Sequence, residues 1–188
     1  IDYMDKRKVF TFDPVNFNDP KGLNDYLHSK NFKAIYMVDP GICRDSTYNI
    51  YRSGSAIDAW IKDSVGGEAK GKVWPGECVF PDFTNPRTAE WWSGLNSEFV
   101  KLGIDGIWND MNEPAIFYSE ERLKEVLSSM QEYQDKNLDL DMFWKFKGSV
   151  NELSNNVEDY KLFFHEIDGK KISHDKVHNL YGFQMTKA

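Results

Sequence analysis

Two short apolar runs, each ending on an acidic residue and separated by a capped amphipathic helix, constrain the fold more than anything else in this chain. Lys33-Ala-Ile-Tyr-Met-Val38 is stopped by Asp39-Pro40-Gly41, and Ile104-Asp-Gly-Ile-Trp-Asn-Asp110 runs into a polar tip. Between them, Asn85-Pro86 supplies a helix cap followed by a proline at the first helical position. Ala89, Trp92, Leu95, Phe99 and Leu102 then fall at helical spacing, and Gly103 provides the stop. Strand, helix, strand at this spacing is the βαβ unit of a parallel sheet, with the two strands as neighbours. A second unit precedes it. Asp19-Pro20 opens a helix with Leu23, Tyr26 and Leu27 on one stripe, ending near Lys30 just before the first run. Two such units in succession fit an α/β barrel better than a sandwich.

The rest of the chain is less regular. Lys8 to Phe12 alternates like a short strand. Ile42 to Phe83 is a long irregular stretch, with small strands expected at Ala56 to Lys62 and Gly71 to Trp74; a loop of that length inside a domain is usually functional. Glu120 to Lys136 is predicted as a helix with Leu123, Val126, Leu127, Met130 and Tyr133 on one face, and Asp141 to Lys147 as another turn or two. Ile167-Asp-Gly-Lys170 is a type I′ hairpin signal. Asp175 to Lys187 reads as a helix with Val177, Leu180, Tyr181 and Met185 inward. No linker divides the chain, so residues 1–188 are taken as part of one domain.

Composition narrows the function. Aromatic residues make up 15%, which excludes disorder. A net charge of −7 repels phosphate backbones, so nucleic-acid partners are not expected and a neutral or cationic substrate is. No run of about 18 apolar residues marks a membrane span. Ile1 to Lys6 lacks the basic start and apolar core of a signal peptide. With only Cys43 and Cys78, reduced thiols and a cytoplasmic location are expected.

Three patterns resemble cofactor or metal motifs and lack what the chemistry needs. Gly66-x4-Gly71-Lys72 is followed by Val73 where a phosphate loop needs a hydroxyl for magnesium. His174-Asp-Lys-Val-His178 carries Asp175 where a zinc-protease helix needs Glu, and reads as an ordinary helix with two polar histidines. Asp135, Asn137, Asp139 and Asp141 alternate like a calcium loop, but Leu140 and Phe146 stand at the positions of its Gly and bidentate Glu. No metal and no cofactor are therefore expected.

Asp105-Gly-Ile-Trp108-Asn-Asp110-Met-Asn-Glu113-Pro114 is different in kind. It puts carboxylates and a Trp at the end of an apolar strand, where parallel sheets place their chemistry. A flat indole can face the apolar side of a sugar ring; a helix cap beside a core Trp would leave the same residues.

Trp108-Asn-Asp-Met-Asn-Glu-Pro114 resembles the nucleophile signature of glycoside hydrolase family 31. Ile1-Asp-Tyr-Met4 with Phe10-Thr-Phe-Asp-Pro14, Tyr36-Met-Val-Asp-Pro-Gly41, Lys72-Val-Trp-Pro-Gly76, Phe80-Pro-Asp-Phe83 with Trp91-Trp92, and Val177-His-Asn-Leu-Tyr-Gly182 resemble further landmarks of that family, in order. Tyr118 to Ser173 most resembles the α-glucosidases of gut bacteria. The resemblance implies an α/β fold: part of a (β/α)8 TIM barrel, from the end of strand two through the helix after strand four. It implies a retaining exo-α-glycosidase with Asp110 as nucleophile, and Trp108, Met111, Trp74 and Asp39 as substrate-binding residues. It also implies an α-glucoside or oligosaccharide substrate, and no cofactor. Asn109, Asn112 and strand-end N–H groups are candidate donors to Asp110.

A full barrel needs about 250 residues. The family's general acid is expected beyond Ala188, and another sugar-contacting acid just before Ile1. The segment alone is then expected to be inactive and to self-associate. Two other readings stand beside this one. Asn112-Glu113-Pro114 also resembles the acid/base tripeptide of the β-glycosidase clan, with Glu113 as proton donor. The segment could also be a non-catalytic sugar-binding piece.

Overall fold

The computed structural model describes residues 2–134, 136, 139–154 and 156–188. Ile1, Asp135 and Asn137, which figure in the sequence patterns above, lie outside the described residues, as do Leu138 and Asn155.

The chain runs α1 (Pro20–Ser29), β1 (Ile35–Val38), β2 (Ile42–Cys43), α2 (Asn49–Ala56), β3 (Gly71–Val73), β4 (Gly76–Val79), α3 (Pro86–Val100) and β5 (Gly106–Asn109). It continues through α4 (Glu120–Gln131), α5 (Leu140–Asn151), β6 (Phe164–Ile167), β7 (Lys170–Ser173) and α6 (His178–Lys187).

The expected βαβ unit forms. β1 and β5 are parallel neighbours, with Ile35 opposite Gly106 and Val38 opposite Asn109, and α3 lies between them in sequence. The ladder continues at both ends, through the N–H of Asp105 to the Ala34 carbonyl and the N–H of Asp110 to the Val38 carbonyl. The Asn85 side chain caps α3 by accepting from the Arg87 N–H, ahead of Pro86. Gly103, at φ +86°, closes the turn before β5. Buried Asn24 ties α1 to both ends of the unit, donating to the Leu102 carbonyl and accepting from the Tyr36 hydroxyl. Asp105 accepts from the Ala34 N–H, His28 and Lys33; these bonds, the Ala34 N–H first, hold its carboxyl well below the usual range.

Side chains alternate between the faces of a strand. Tyr36 packs on Phe99 of α3, their rings 5.8 Å apart, so Tyr36, Val38, Ile107 and Asn109 face the helix layer. Ile35, Met37, Gly106 and Trp108 face the other way, and Ile35 is 61% and Trp108 60% exposed. That is the face a barrel turns inward. Among the described residues, the parallel sheet has these two strands alone.

Several expectations need correction. Lys8 to Phe12 is not a strand: Lys6, Arg7 and Phe10 all have positive φ, which breaks an extended run. Phe10 and Phe12 instead pack against Phe99, beside Trp92 and Tyr3. The stretch after β1 is more ordered than its sequence suggests. β2, β4 and β3 form an antiparallel sheet in that spatial order, and α2 occupies residues expected to be irregular. The strand expected over Ala56 to Lys62 is the end of α2 followed by single bridges at Trp60 and Lys62. Ala59, Trp60 and Ile61 are buried as core rather than as ladder.

The hairpin between β6 and β7 has the expected two-residue loop, with Asp168 at φ +52° and Gly169 at φ +71°, as a type I′ turn requires. α4 ends at Gln131, short of Lys136. α5 is a full helix rather than a turn or two, capped by the Asp139 side chain accepting from the Met142 N–H. α6 starts at His178, after a short 3-10 turn over His174–Lys176, and Leu180 faces solvent while Tyr181 and Met185 are buried. His174 and His178 are therefore not polar neighbours on one helix; His174 is fully buried. Among the described residues, no helix is long and apolar enough to cross a membrane.

Candidate active site

Asp39 follows β1 and Asp110 follows β5, so the parallel register sets both carboxylates at neighbouring strand ends. By alternation they share the face that carries Trp108. The two acids were distant in sequence and are brought together by the βαβ crossover.

Asp39 is 2% exposed. One of its oxygens, Oδ1, accepts from the Gly41 N–H at 2.9 Å. Among the described residues the other, Oδ2, is buried without a partner. Burial raises its pKa to about 7; the Gly41 N–H opposes the rise and the charge of Asp110 adds to it. Asp39 therefore carries a proton well above the ordinary carboxylate range. A raised acid binds a proton in the folded state that the unfolded chain has released, so its contribution to stability is complete below about pH 4 and lost as pH rises through about 7. The upper bound is on the order of 4 kcal/mol. Asp39→Asn is expected to gain on the wild-type protein steadily across that interval, as read from urea unfolding at a series of pH values. Parallel curves for the two proteins would refute the buried, protonated state. His174 titrates with the opposite sense. Burial first, then the neighbouring His165, lowers it to about 4, so its contribution is lost as pH falls from about 6.5.

Asp110 Oδ1 accepts from the N–H of Met111 at 2.9 Å. Met111 has φ +50°, a left-handed conformation that is uncommon outside glycine and gathers at functional turns. It bends the chain immediately after the acid. A strand-end N–H is thus among the expected donors that reach Asp110, and the two asparagine side chains are otherwise arranged. The Asn109 side chain, on the helix-facing side, donates to Thr186 Oγ1 of α6 at 3.2 Å and not to Asp110. The Asn112 amide lies against Gly182, where a Cβ would come within 2.9 Å of it.

Trp74 occupies the turn between β3 and β4, where Gly76 at φ +104° lets the chain reverse. Its ring meets Phe117 edge-on at 5.0 Å, and the Arg7 guanidinium sits 5.7 Å from its centroid. β3 is tied to the segment after the Asp110 turn by the Lys72 N–H to the Tyr118 carbonyl and the Phe117 N–H to the Lys72 carbonyl. That pairing draws the Trp74 hairpin toward the segment that follows Asp110. A cavity of about 380 Å³ lined by Asp63, Glu68, Lys70, Glu120 and Phe163 lies elsewhere; of the strand-end acids, Asp110 is half-buried and Asp39 buried. Among the described residues, no group of three or more His, Cys, Asp or Glu side chains is placed to hold a metal ion.

One polar cluster was missed by sequence reasoning: Asp82, His165 and His174, buried and hydrogen-bonded in series to the Glu113 carbonyl. No local spacing links residues so far apart. The only signal was His174 near His178, and it suggested a different geometry.

A βαβ unit with two acids and a Trp at its strand ends is a segment of an α/β barrel with its site on the C-terminal side of the sheet. The family model described as the glycosyl hydrolases family 31 TIM-barrel domain matches residues 1–188. The chain is 40% identical over 182 residues to an α-glucosidase of Saccharolobus solfataricus, covering 96% of this chain and 24% of that protein. It is 34% identical over 188 residues to α-glucosidase 2 of Bacillus thermoamyloliquefaciens, covering 100% of this chain and 19% of that protein. Among solved structures, it superposes along its full length on the ER glucosidase II heterodimeric complex, with a TM-score of 0.70, 27% identity and 17% of that chain covered. A family 31 α-glucosidase of Bacteroides thetaiotaomicron matches 62% of this chain and 20% of its own, at 46% identity and TM-score 0.58. The chain belongs to glycoside hydrolase family 31 and is part of that family's catalytic barrel. It spans about a quarter or less of the relatives it matches.

Proposed function

We propose that this chain forms part of the catalytic domain of a retaining exo-α-glucosidase, which releases terminal α-linked glucose through a covalent glycosyl-enzyme. The carrying observation is the pair of acids at adjoining strand ends, Asp110 half-buried and Asp39 deeply buried, on the face that also bears Trp108. The α-glucosidase names of the relatives support the substrate class.

In this reading an Asp110 carboxylate oxygen attacks the anomeric carbon as the glycosidic C–O bond breaks. The electron pair of that bond goes to the leaving oxygen, which takes a proton from a second carboxyl group. That group then deprotonates a water, whose oxygen attacks the anomeric carbon and frees Asp110. A retaining mechanism needs the two carboxyl groups about 5–5.5 Å apart on either side of the scissile bond. Asp39 adjoins Asp110 on one sheet face, so we assign the proton donor to another strand of the barrel. Asp39, deeply buried beside Asp110, adds its charge state to the surroundings of the nucleophile rather than an open contact. Trp108, Met111 and Trp74 supply apolar walls to the sugar subsite.

The test is covalent trapping. A fluorinated α-glucosyl fluoride, whose second step is slowed, is expected to label the intact enzyme once, on the peptide containing Asp110. A label on another acid would move the nucleophile. No label with an α-configured reagent, while a β-configured one labels an acid other than Glu113, would favour the β-glycosidase reading, in which Glu113 is the proton donor.

A further inference from the structure

Three hydrogen bonds in series cross the interior behind the Asp110 turn. Asp82 Oδ1 meets His165 Nδ1 at 2.7 Å, His165 Nε2 meets His174 Nδ1 at 2.8 Å, and His174 Nε2 meets the Glu113 carbonyl at 2.7 Å. His165 is 1% and His174 0% exposed, so both rings are shielded from bulk solvent. Both ends of the series, a carboxylate and a carbonyl, accept only. Each of the three bonds then needs a proton from an imidazole nitrogen, and two neutral imidazoles hold one ring proton each. The series is one proton short unless one ring is an imidazolium or the Asp82 carboxyl itself carries the proton.

The surroundings say which ring. His165 bonds the Asp82 carboxylate directly, whereas His174 faces an imidazole and a carbonyl, and burial lowers its pKa; His174 is therefore the neutral ring, with one ring proton. That proton must sit on Nε2 to reach the Glu113 carbonyl, which leaves Nδ1 an acceptor. Burial raises the Asp82 carboxyl, but its bonds from His165 and Thr84 outweigh this and hold it below its usual range, so it is ionised. His165 must then donate from both nitrogens. Tyr160 and Tyr181 pack against the His174 ring, Tyr181 donates to the Pro81 carbonyl beside Asp82, and His178 Nδ1 lies 3.4 Å from His174 Nε2.

We propose that Asp82, His165 and His174 are positioning residues for the Asp110 turn. The Asp82–His165 ion pair fixes His174 in its Nε2–H tautomer, and that N–H holds the Glu113 carbonyl three residues beyond the acid. Charge-assisted bonds are the stronger kind, and breaking a buried ion pair from one side is costly, so the device is stiff. The kinetic part of this inference rests on the glucosidase reading; the proton arrangement does not.

The experiment uses the enzyme that carries this segment, labelled with 15N-histidine. The wild-type spectrum is expected to show one imidazole protonated on both ring nitrogens, and this signature is lost in Asp82→Asn and in His165→Gln. Two singly protonated rings at these positions would overturn the proposal. Hydrolysis of an aryl α-glucoside supplies the second readout. A glutamine amide presents a donor nitrogen on one side and an acceptor oxygen on the other, as a neutral imidazole presents one donor and one acceptor nitrogen. His174→Gln is therefore expected to keep kcat within about tenfold of wild type, the scale of one weakened hydrogen bond. His165→Gln cannot donate at both ends, and is expected to lower kcat about 100-fold with little change in KM, as for a misplaced reacting group. Equal losses in the two variants would also overturn it. If His165→Gln does not fold, the wild-type and Asp82→Asn spectra decide. A wild-type enzyme inactive on aryl α-glucosides, or an active Asp110→Asn, would sink the glucosidase reading, and the ring-proton count would still decide the relay.

Discussion

Asp110→Asn, made in the enzyme that carries this segment, is expected to abolish hydrolysis of aryl α-glucosides while leaving sugar binding largely intact. The amide is nearly isosteric with the carboxylate and can take its place against the Met111 N–H. It is a poor nucleophile, and it carries no charge to stabilise an oxocarbenium-like transition state. The barrier is expected to rise by at least several kcal/mol, on a scale where each ~1.4 kcal/mol is tenfold in rate. A smaller side chain tests the stereochemistry. In Asp110→Gly, azide can enter the vacated space and attack the anomeric carbon from the nucleophile's side, so rescue is expected to yield the β-glycosyl azide. Glu113→Gln separates the loop from the chemistry. The structure uses the Glu113 carbonyl, through His174, while its side chain is exposed. That variant is expected to keep far more activity than Asp110→Asn. The reverse pattern, a dead Glu113→Gln and an active Asp110→Asn, would reassign the site.

The parts of the fold that were legible in the sequence are those whose signals are local and periodic. The Asn85-Pro86 cap, the helical spacing from Ala89 to Leu102 and the Gly103 stop all act within a few residues, and α3 follows them. The Asp168-Gly169 turn is likewise dictated by two residues that accept positive φ. α2 was missed for the converse reason. Asn49 to Ala56 includes two serines and a glycine, which favour other conformations, and tertiary packing makes the helix. A Cβ on Gly54 would lie 2.3 Å from the Trp60 ring, so the position is reserved for glycine by contact rather than by helix propensity. The site divides in the same way. The strand-end acids could be read from the runs that carry them. The Asp82–His165–His174 series depends on residues 83 and 9 positions apart meeting in the interior. The Asn109 amide was expected on Asp110 because it is adjacent in sequence; strand alternation turns it to α6 and Thr186 instead.

The isolated 188-residue chain is expected to self-associate. β1 and β5 are both edge strands among the described residues, and unpaired edges invite pairing with another chain. The sheet face opposite α3 adds an apolar contribution, since Ile35 and Trp108 are largely exposed on it. Covering each such side chain is favourable by about 1.5–3 kcal/mol, so a second copy meeting this face gains from both partners at once. In a closed barrel the same face is filled by side chains of other strands. The net charge of −7 opposes association only weakly where contacts are apolar, and less as salt screens it. Sedimentation velocity is therefore expected to show concentration-dependent species larger than a monomer, persisting at high salt. Ile35→Lys, which sets a charge on the open face without touching the α3 side, is expected to shift the distribution toward monomer. A compact monomer with a sharp, concentration-independent melt would mean that the two-strand sheet and its exposed face are tolerated by water, and that the inward face of this segment needs no partner to fold.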